Sequence, residues 1–213
     1  MLMNPSGKGF GACIHSSIAV MWPYWATPKV DTFNHMRWSN FEDHMRIAII
    51  GNAGSGKSTL AVKLSRQLDI PVCEIDKLLW QEGWVPAPRV FYEEAHNSVI
   101  RDDNWIIEGL GMLETIDQRI DRANHVIFCD FPLWQHFWLL AERQLKWAHG
   151  TLELPPGGQK KMPPTQALFE TVWRVDRDWM PTIRGLVSDA RQQKSVQIIA
   201  SFEELENFEF VRE

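Results

Sequence analysis

From residue 45 onward the chain alternates short apolar runs with amphipathic stretches. Ile47–Ile50 is a β-rich run stopped by Gly51, which predicts a buried strand. Leu60, Leu64 and Leu68 recur every four residues, one stripe of a helix over 57–68. Residues 71–76 read as a second strand, ending at Asp76. After Pro86 and Pro88, the residues Phe91, Ala95 and Val99 mark one face of another helix. Trp105–Ile107 predicts a third strand ending at Glu108. Val126–Cys129 predicts a fourth, apolar at successive residues as burial on both faces requires. A long helix follows over 132–147, and its Trp134 and Trp138, at helical spacing, read as core rather than as a base-stacking platform. A loop rich in Pro and Gly over 149–164 precedes a helical stretch over 165–192, bent at Pro181. Residues 195–200 form the fifth strand, and Ser201–Glu204 is a capping box that opens the last helix. Five short strands separated by helices imply an α/β protein, its parallel sheet covered by helices on both faces. The sequence shows no internal repeat.

Residues 1–44 break this pattern. They have no helical or strand period and are interrupted by Pro5, Pro23 and Pro28, yet they hold seven aromatic side chains. Lys8 followed by Ile18–Met21 has the outline of a signal peptide, but His15, Ser16 and Ser17 interrupt its apolar region. The preferred expectation is a loosely ordered extension, or a translated leader upstream of a start at Met45. Deleting 1–44 is then expected to leave the melting midpoint nearly unchanged. A large fall in midpoint would instead make those aromatics part of the core.

Composition narrows the class without naming it. At 213 residues, with 45% hydrophobic and 23% charged residues, this is ordinary globular material and not a disordered or collagen-like chain. The formal charge is −5, all of it in 45–213, since residues 1–44 carry three charges of each sign. An acidic balance argues against a protein that wraps nucleic acid, which needs a cationic footprint. Cys13, Cys73 and Cys129 are scattered, with no CxxC pair, which points to a reducing, cytoplasmic setting and no zinc finger. The longest unbroken apolar run, 18–26, contains a proline, so no transmembrane helix is predicted.

Candidate chemistry begins at Gly51-Asn52-Ala53-Gly54-Ser55-Gly56-Lys57-Ser58, an unbroken match to GxxxxGK[ST], with Thr59 following. Its glycines let successive N–H groups converge on phosphate oxygens. The helix opening near Lys57 adds its positive end. Lys57 is placed to reach the β- and γ-phosphates, and the Ser58 hydroxyl to join a Mg²⁺ shell. A chance Gly-rich turn would lack the strand before it and the amphipathic helix after it, and both are present. Residues Gly51–Thr59 are therefore the candidate ATP-binding loop.

Mg²⁺ also needs carboxylates at the carboxyl ends of the strands, where open α/β sheets hold ligands. Asp76, Glu108 and Asp130 each end a predicted strand. Asp76 is the first candidate for a Mg²⁺ contact or for accepting the acceptor's proton, Glu108 the second for metal, and Asp130 reads as structural. Cations beyond Lys57 are expected at a γ-phosphate. Arg143, just before the Pro/Gly loop, leads Lys160, Lys161, Arg174, Arg177 and Arg184. Trp80 and Trp84 flank Gln81-Glu82-Gly83 after Asp76, where core packing and acceptor contact are both open readings. Leu154–Gln159 lacks the context of a transporter signature, and no NKxD sequence supports guanine recognition.

These blocks in order, Met45-Arg-Ile-Ala-Ile-Ile-Gly51, Gly56-Lys-Ser-Thr59, Ile75-Asp-Lys-Leu-Leu-Trp80, Gly83-Trp84, Trp105-Ile-Ile-Glu-Gly109 and Phe128-Cys-Asp-Phe-Pro132, resemble the bacterial topology modulation proteins. Those are P-loop proteins related to adenylate and shikimate kinases. The resemblance covers 45–213. It implies a three-layer P-loop fold with strand order 2-3-1-4-5, an acceptor-binding insert after strand two, and a lid after the fourth-strand helix. By the same resemblance Gly51–Thr59 binds ATP phosphates, Asp76 lies at the acceptor and Mg²⁺ site, and Arg143 stands at the base of the lid. Glu108 occupies a position where relatives usually carry Asp, and the lid has Lys160 and Lys161 where relatives are often rich in arginine.

Two functions follow. One is an ATP- and Mg²⁺-dependent phosphotransferase acting on a nucleotide or another small acceptor, with no membrane and no direct nucleic-acid partner. The other is a nucleotide-binding switch that hydrolyses ATP slowly and signals to a partner protein. Stimulation of ADP release by a small acceptor separates them. The sequence does not determine an oligomeric state.

Overall fold

The computed structural model describes His44–Glu153 and Pro155–Val211. The expectation for residues 1–44 lies, His44 apart, outside the described residues. The described elements run β1 (Arg46–Gly51), α1 (Lys57–Leu68), β2 (Val72–Glu74), α2 (Ile75–Leu79), β3 (Trp80–Gln81), β4 (Val85–Pro86), α3 (Arg89–Val99), β5 (Trp105–Glu108), α4 (Leu113–Arg122), β6 (His125–Cys129), α5 (Leu133–Ala148), a 3₁₀ turn (Pro156–Gly158), α6 (Thr165–Asp178), α7 (Met180–Ala190), β7 (Ser195–Ile199) and α8 (Phe202–Glu206).

The main sheet is parallel, in the order β2-β5-β1-β6-β7. With the separate β3–β4 hairpin set aside, that is the expected 2-3-1-4-5. Alternation along β1 explains the three layers. Ala48 and Ile50 face one core with Ile75, Tyr92, Trp105, Ile107, Ile116, Val126 and Phe128. Ile47 and Ile49 face the other with Leu60, Leu64, Ile106, Ile127 and Ile199. Every residue of β5 and β6 is buried, as a central parallel strand covered on both faces must be. β1 ends at Gly51, φ 151°, where a Cβ would fall 2.4 Å from the Cys129 carbonyl oxygen. Only glycine lets the chain leave the sheet there beside β6. At the other end, α8 opens on Ser201, whose Oγ accepts from the Glu204 N–H at 3.1 Å, while Glu204 Oε2 accepts from the Ala200 N–H at 2.7 Å. That is a capping box with its return bond displaced by one residue.

Four local expectations change. Strand two stops at Glu74, so Asp76 lies in the first turn of α2 and not at a strand end. The buried face of α3 is Tyr92 and His96, while Phe91 is 65% exposed. Tyr92 wins the interior because its hydroxyl finds partners there, Thr115 Oγ1 at 2.9 Å and the Met112 N–H at 3.2 Å. The long helical stretch is two helices, parted at Trp179 with Pro181 in the first turn of α7. Trp134 and Trp138 are 65% and 70% exposed, because α5 turns His136, Leu140 and Gln144 inward instead. Among the described residues no helix is long and apolar enough to cross a membrane.

Candidate active site

The Gly-rich loop spans the gap between β1 and α1, at the carboxyl edge of the central strand. Its side chains are largely committed to one another. Lys57 is buried, and its Nζ donates to the Asn52 carbonyl at 2.6 Å and to Ser55 Oγ at 3.1 Å. Asn52 is also buried. Its Oδ1 accepts from the Ala53 N–H at 2.8 Å and its Nδ2 donates to the Val172 carbonyl of α6 at 2.9 Å. From α5, His136 donates Nδ1–H to the Ala53 carbonyl at 2.9 Å with its ring stacked on Phe131. Burial pushes that imidazole down to about 4, with the Lys57 charge acting the same way, so it is neutral at physiological pH. The loop is thus braced from two helices, and the Asn52 side chain serves as a brace rather than as a free ligand. Ser58 and Thr59 are exposed at the start of α1.

Four of the sequence-nominated side chains share one electrostatic field. Burial pulls the Lys57 ammonium below its ordinary range, with Glu108 and Asp76 opposing that shift and Arg143 adding to it. Burial raises the Asp76 carboxyl, against the pull of Lys57 and Arg143. Burial likewise lowers Arg143, which Asp76 counters. Glu108 accepts from Ser58 Oγ at 2.9 Å. Burial pushes its carboxyl up to about 7, Lys57 pulls it down and the Asp76 charge adds to the rise. Perturbed titrating groups of opposite charge brought together in this way make the cluster a candidate functional site.

The other nominated cations, Lys160, Lys161, Arg174, Arg177 and Arg184, are exposed, and three of them pair with carboxylates. Arg184 makes a bidentate pair with Asp130, Nη2 to Oδ1 at 2.8 Å, which gives Asp130 the structural role expected of it. Arg177 pairs with Asp178 and lies 4.5 Å from the Trp173 ring centre. Lys160 sits 3.5 Å from Glu82 with both side chains exposed, and Arg174 lies on the exposed face of α6. Trp80 and Trp84 belong to neither core. They form an aromatic group with Trp147 of α5, at centroid distances of 6.0 Å for Trp80–Trp84 and 6.3 Å for Trp84–Trp147.

Sequence reasoning missed two buried residues here. Arg119 of α4 is fully buried and donates Nη1–H to the Gly109 carbonyl at 2.7 Å and Nη2–H to the Leu110 carbonyl, fixing the turn that follows Glu108. The other is Gln159. Neither stood out, because a lone Arg or Gln in a helix or loop reads as a solvated polar residue.

No family model matches the chain, and no curated sequence matches it. Solved structures align with it at low identity. Shikimate kinase from Aquifex aeolicus VF5 is 22% identical over 66% of this chain and 97% of its own, with a TM-score of 0.35. Shikimate kinase from Bacteroides thetaiotaomicron is 16% identical over 74% and 86%, TM-score 0.43. A gluconokinase from Sinorhizobium meliloti 1021 is 16% identical over 67% and 98%, TM-score 0.38. At these scores the likeness assigns neither substrate nor chemistry.

Glu108 carries a testable pH signature. Its carboxyl titrates near 7 in the fold against 4.5 ordinarily, so the folded state keeps a proton that the unfolded chain releases. Between those values Glu108's own contribution to stability falls as pH rises and is lost above about pH 7, while His96 and His136, each held down to about 4, act in the opposite sense. Glu108→Gln retains an acceptor for Ser58 Oγ and removes the titration. The wild-type melting midpoint minus that of the variant should fall between about pH 5 and about pH 8. Equal slopes would place the proton elsewhere.

Proposed function

We propose that this protein is an ATP-dependent phosphotransferase acting on a nucleotide or another small hydroxyl- or phosphate-bearing acceptor. The observation that carries the reading is the buried Lys57, held by the Asn52 carbonyl and Ser55 Oγ, beside the Ser58 hydroxyl that donates to Glu108 at 2.9 Å, with Asp76 and Arg143 acting on the same ammonium. Gly51–Thr59 would hold the ATP phosphates through backbone N–H groups and the positive end of α1. Among the described residues no group of three His, Cys, Asp or Glu side chains could hold a metal by itself. Mg²⁺ characteristically takes one or two carboxylates plus phosphate oxygens and water, and Ser58, Glu108 and Asp76 fit that donor set. When bound, Mg²⁺ would supply positive charge to the ATP phosphates.

The chain's own residues account for the remaining steps. Asp76 accepts the proton of the acceptor hydroxyl as its oxygen bonds to the γ-phosphorus. The bond from that phosphorus to the β–γ bridging oxygen breaks, and ADP leaves with the electron pair. Lys57 and Arg143 supply positive charge to the transferring oxygens. The topology modulation resemblance agrees with this reading, as does a cytoplasmic setting where ATP is available.

The test is ADP production with Mg·ATP over a panel of nucleotides, nucleosides and hydroxy acids. An acceptor that raises ADP release well above the rate with water alone supports the transferase. Hydrolysis at one low rate, whatever is added, would overturn it in favour of the switch.

A further inference from the structure

We infer that Gln159 fastens the Pro/Gly loop to the β3–β4 hairpin, so that the two edges of the proposed acceptor crevice close as one body. The inference extends the phosphotransferase reading, but its structural half stands without it. Gln159 is 4% exposed although it lies in a loop. Its Oε1 accepts from the Gly83 N–H at 2.9 Å and the Trp84 N–H at 3.4 Å, and its Nε2 donates to the Gln81 carbonyl at 3.0 Å. One amide therefore satisfies three backbone groups of a hairpin 75 to 78 residues earlier.

The hairpin is shaped to receive it. Its strands have two residues each, too little to stand alone in water. Gly83 and Trp84 both have positive φ, 81° and 64°. A tryptophan in that region is strained, and such strain persists only where its surroundings impose it. Two successive N–H groups then converge on one oxygen, a concavity of the kind that ordinarily cradles an anion, and the Gln159 carbonyl oxygen fills it.

Two further contacts carry the loop over the site. Trp84 Nε1 donates to the Lys161 carbonyl at 2.8 Å. At Gly157 a Cβ would fall 3.2 Å from the Asp76 carbonyl oxygen, so the loop lies directly against the first turn of α2. Gln159 is therefore a positioning residue. It holds the loop across Asp76, and in the proposed reaction it keeps water from taking the phosphoryl group in place of the acceptor.

Amide hydrogen exchange on the full chain without nucleotide tests the fastening. In Gln159→Ala, Gly83 and Trp84 should exchange on the order of tenfold faster than in the wild type, as loss of a buried acceptor implies. Amides of β1 and β6 should keep their protection. Gln159→Glu keeps the oxygen facing Gly83 and Trp84 but loses the donor to Gln81, and should be intermediate. Unchanged exchange at Gly83 and Trp84 in the alanine variant would overturn the inference. So would loss of protection throughout the sheet in both variants, since Gln159 would then support the whole fold. The catalytic half is read as the ratio of acceptor-independent to acceptor-dependent ADP release, which should rise in Gln159→Ala and be partly restored in Gln159→Glu. An unchanged ratio in an active enzyme removes the water-excluding role. A wild type that no acceptor stimulates defeats the phosphotransferase reading, and exchange then judges the fastening alone.

Discussion

Replacing Lys57 with alanine is expected to cut ATP turnover by at least about 10²–10³-fold, the loss typical of removing one preorganised donor from developing charge. The ammonium is buried beneath the loop with Glu108 and Asp76 acting on it, so a cation has been carried into the interior at the one place where phosphates would enter. Burial of that kind is costly unless charges or hydrogen bonds compensate it. The fold should survive, since α1 remains anchored by Leu60, Ala61 and Leu64. The loss of Lys57 also removes the main influence lowering Glu108, whose carboxyl should then titrate still higher. Turnover and calorimetric titration with Mg·ATP, alongside melting curves across pH, check these points. Wild-type affinity in a folded variant would remove the phosphate site from this loop.

The same interior explains what the sequence made visible. β1, β5 and β6 announce themselves because burial on both faces forces continuous apolar runs, and the Gly-rich loop because its spacing is that of a phosphate-binding motif. Residues with one wet side are harder to place. Ile75 and Asp76 continue the run of strand two on paper, yet the backbone turns helical at Ile75, with Ile75 still buried in the core. Phe91 is more apolar than Tyr92, but only Tyr92 can satisfy a hydroxyl against Thr115. Trp134 and Trp138 look like a core stripe until α5 is seen to spend its inner face on His136 and Leu140, which abut the loop at Gly54. The tie from Gln159 to Gly83 has no local signal, since it joins residues 76 positions apart through one side-chain amide.

Asp76→Asn separates a working carboxylate from a structural one. In the first turn of α2, the residue stands near the helix N-terminus, where either Asp or Asn is a tolerated polar group. A structural role would therefore leave turnover and stability almost unmoved. The field around it argues otherwise. Burial raises its carboxyl, with Lys57 and Arg143 opposing the rise, so its affinity for a proton is increased beside two cations. If Asp76 accepts the acceptor's proton, the substitution should lower turnover by about 10²–10⁴-fold, with a much smaller change in melting midpoint. The pH profile adds a second readout. The Asp76 charge raises the Glu108 carboxyl, so the acid side of the wild-type profile reports the two carboxylates together and not either residue alone. With the Asp76 charge removed, Glu108 loses one of the influences raising it, and its titration in the melting profile should move to lower pH. The measurements are turnover with the best acceptor and midpoint against pH for both proteins. Turnover within about threefold of wild type, far short of a general-base loss, would make Asp76 structural and leave Glu108 as the carboxylate to test.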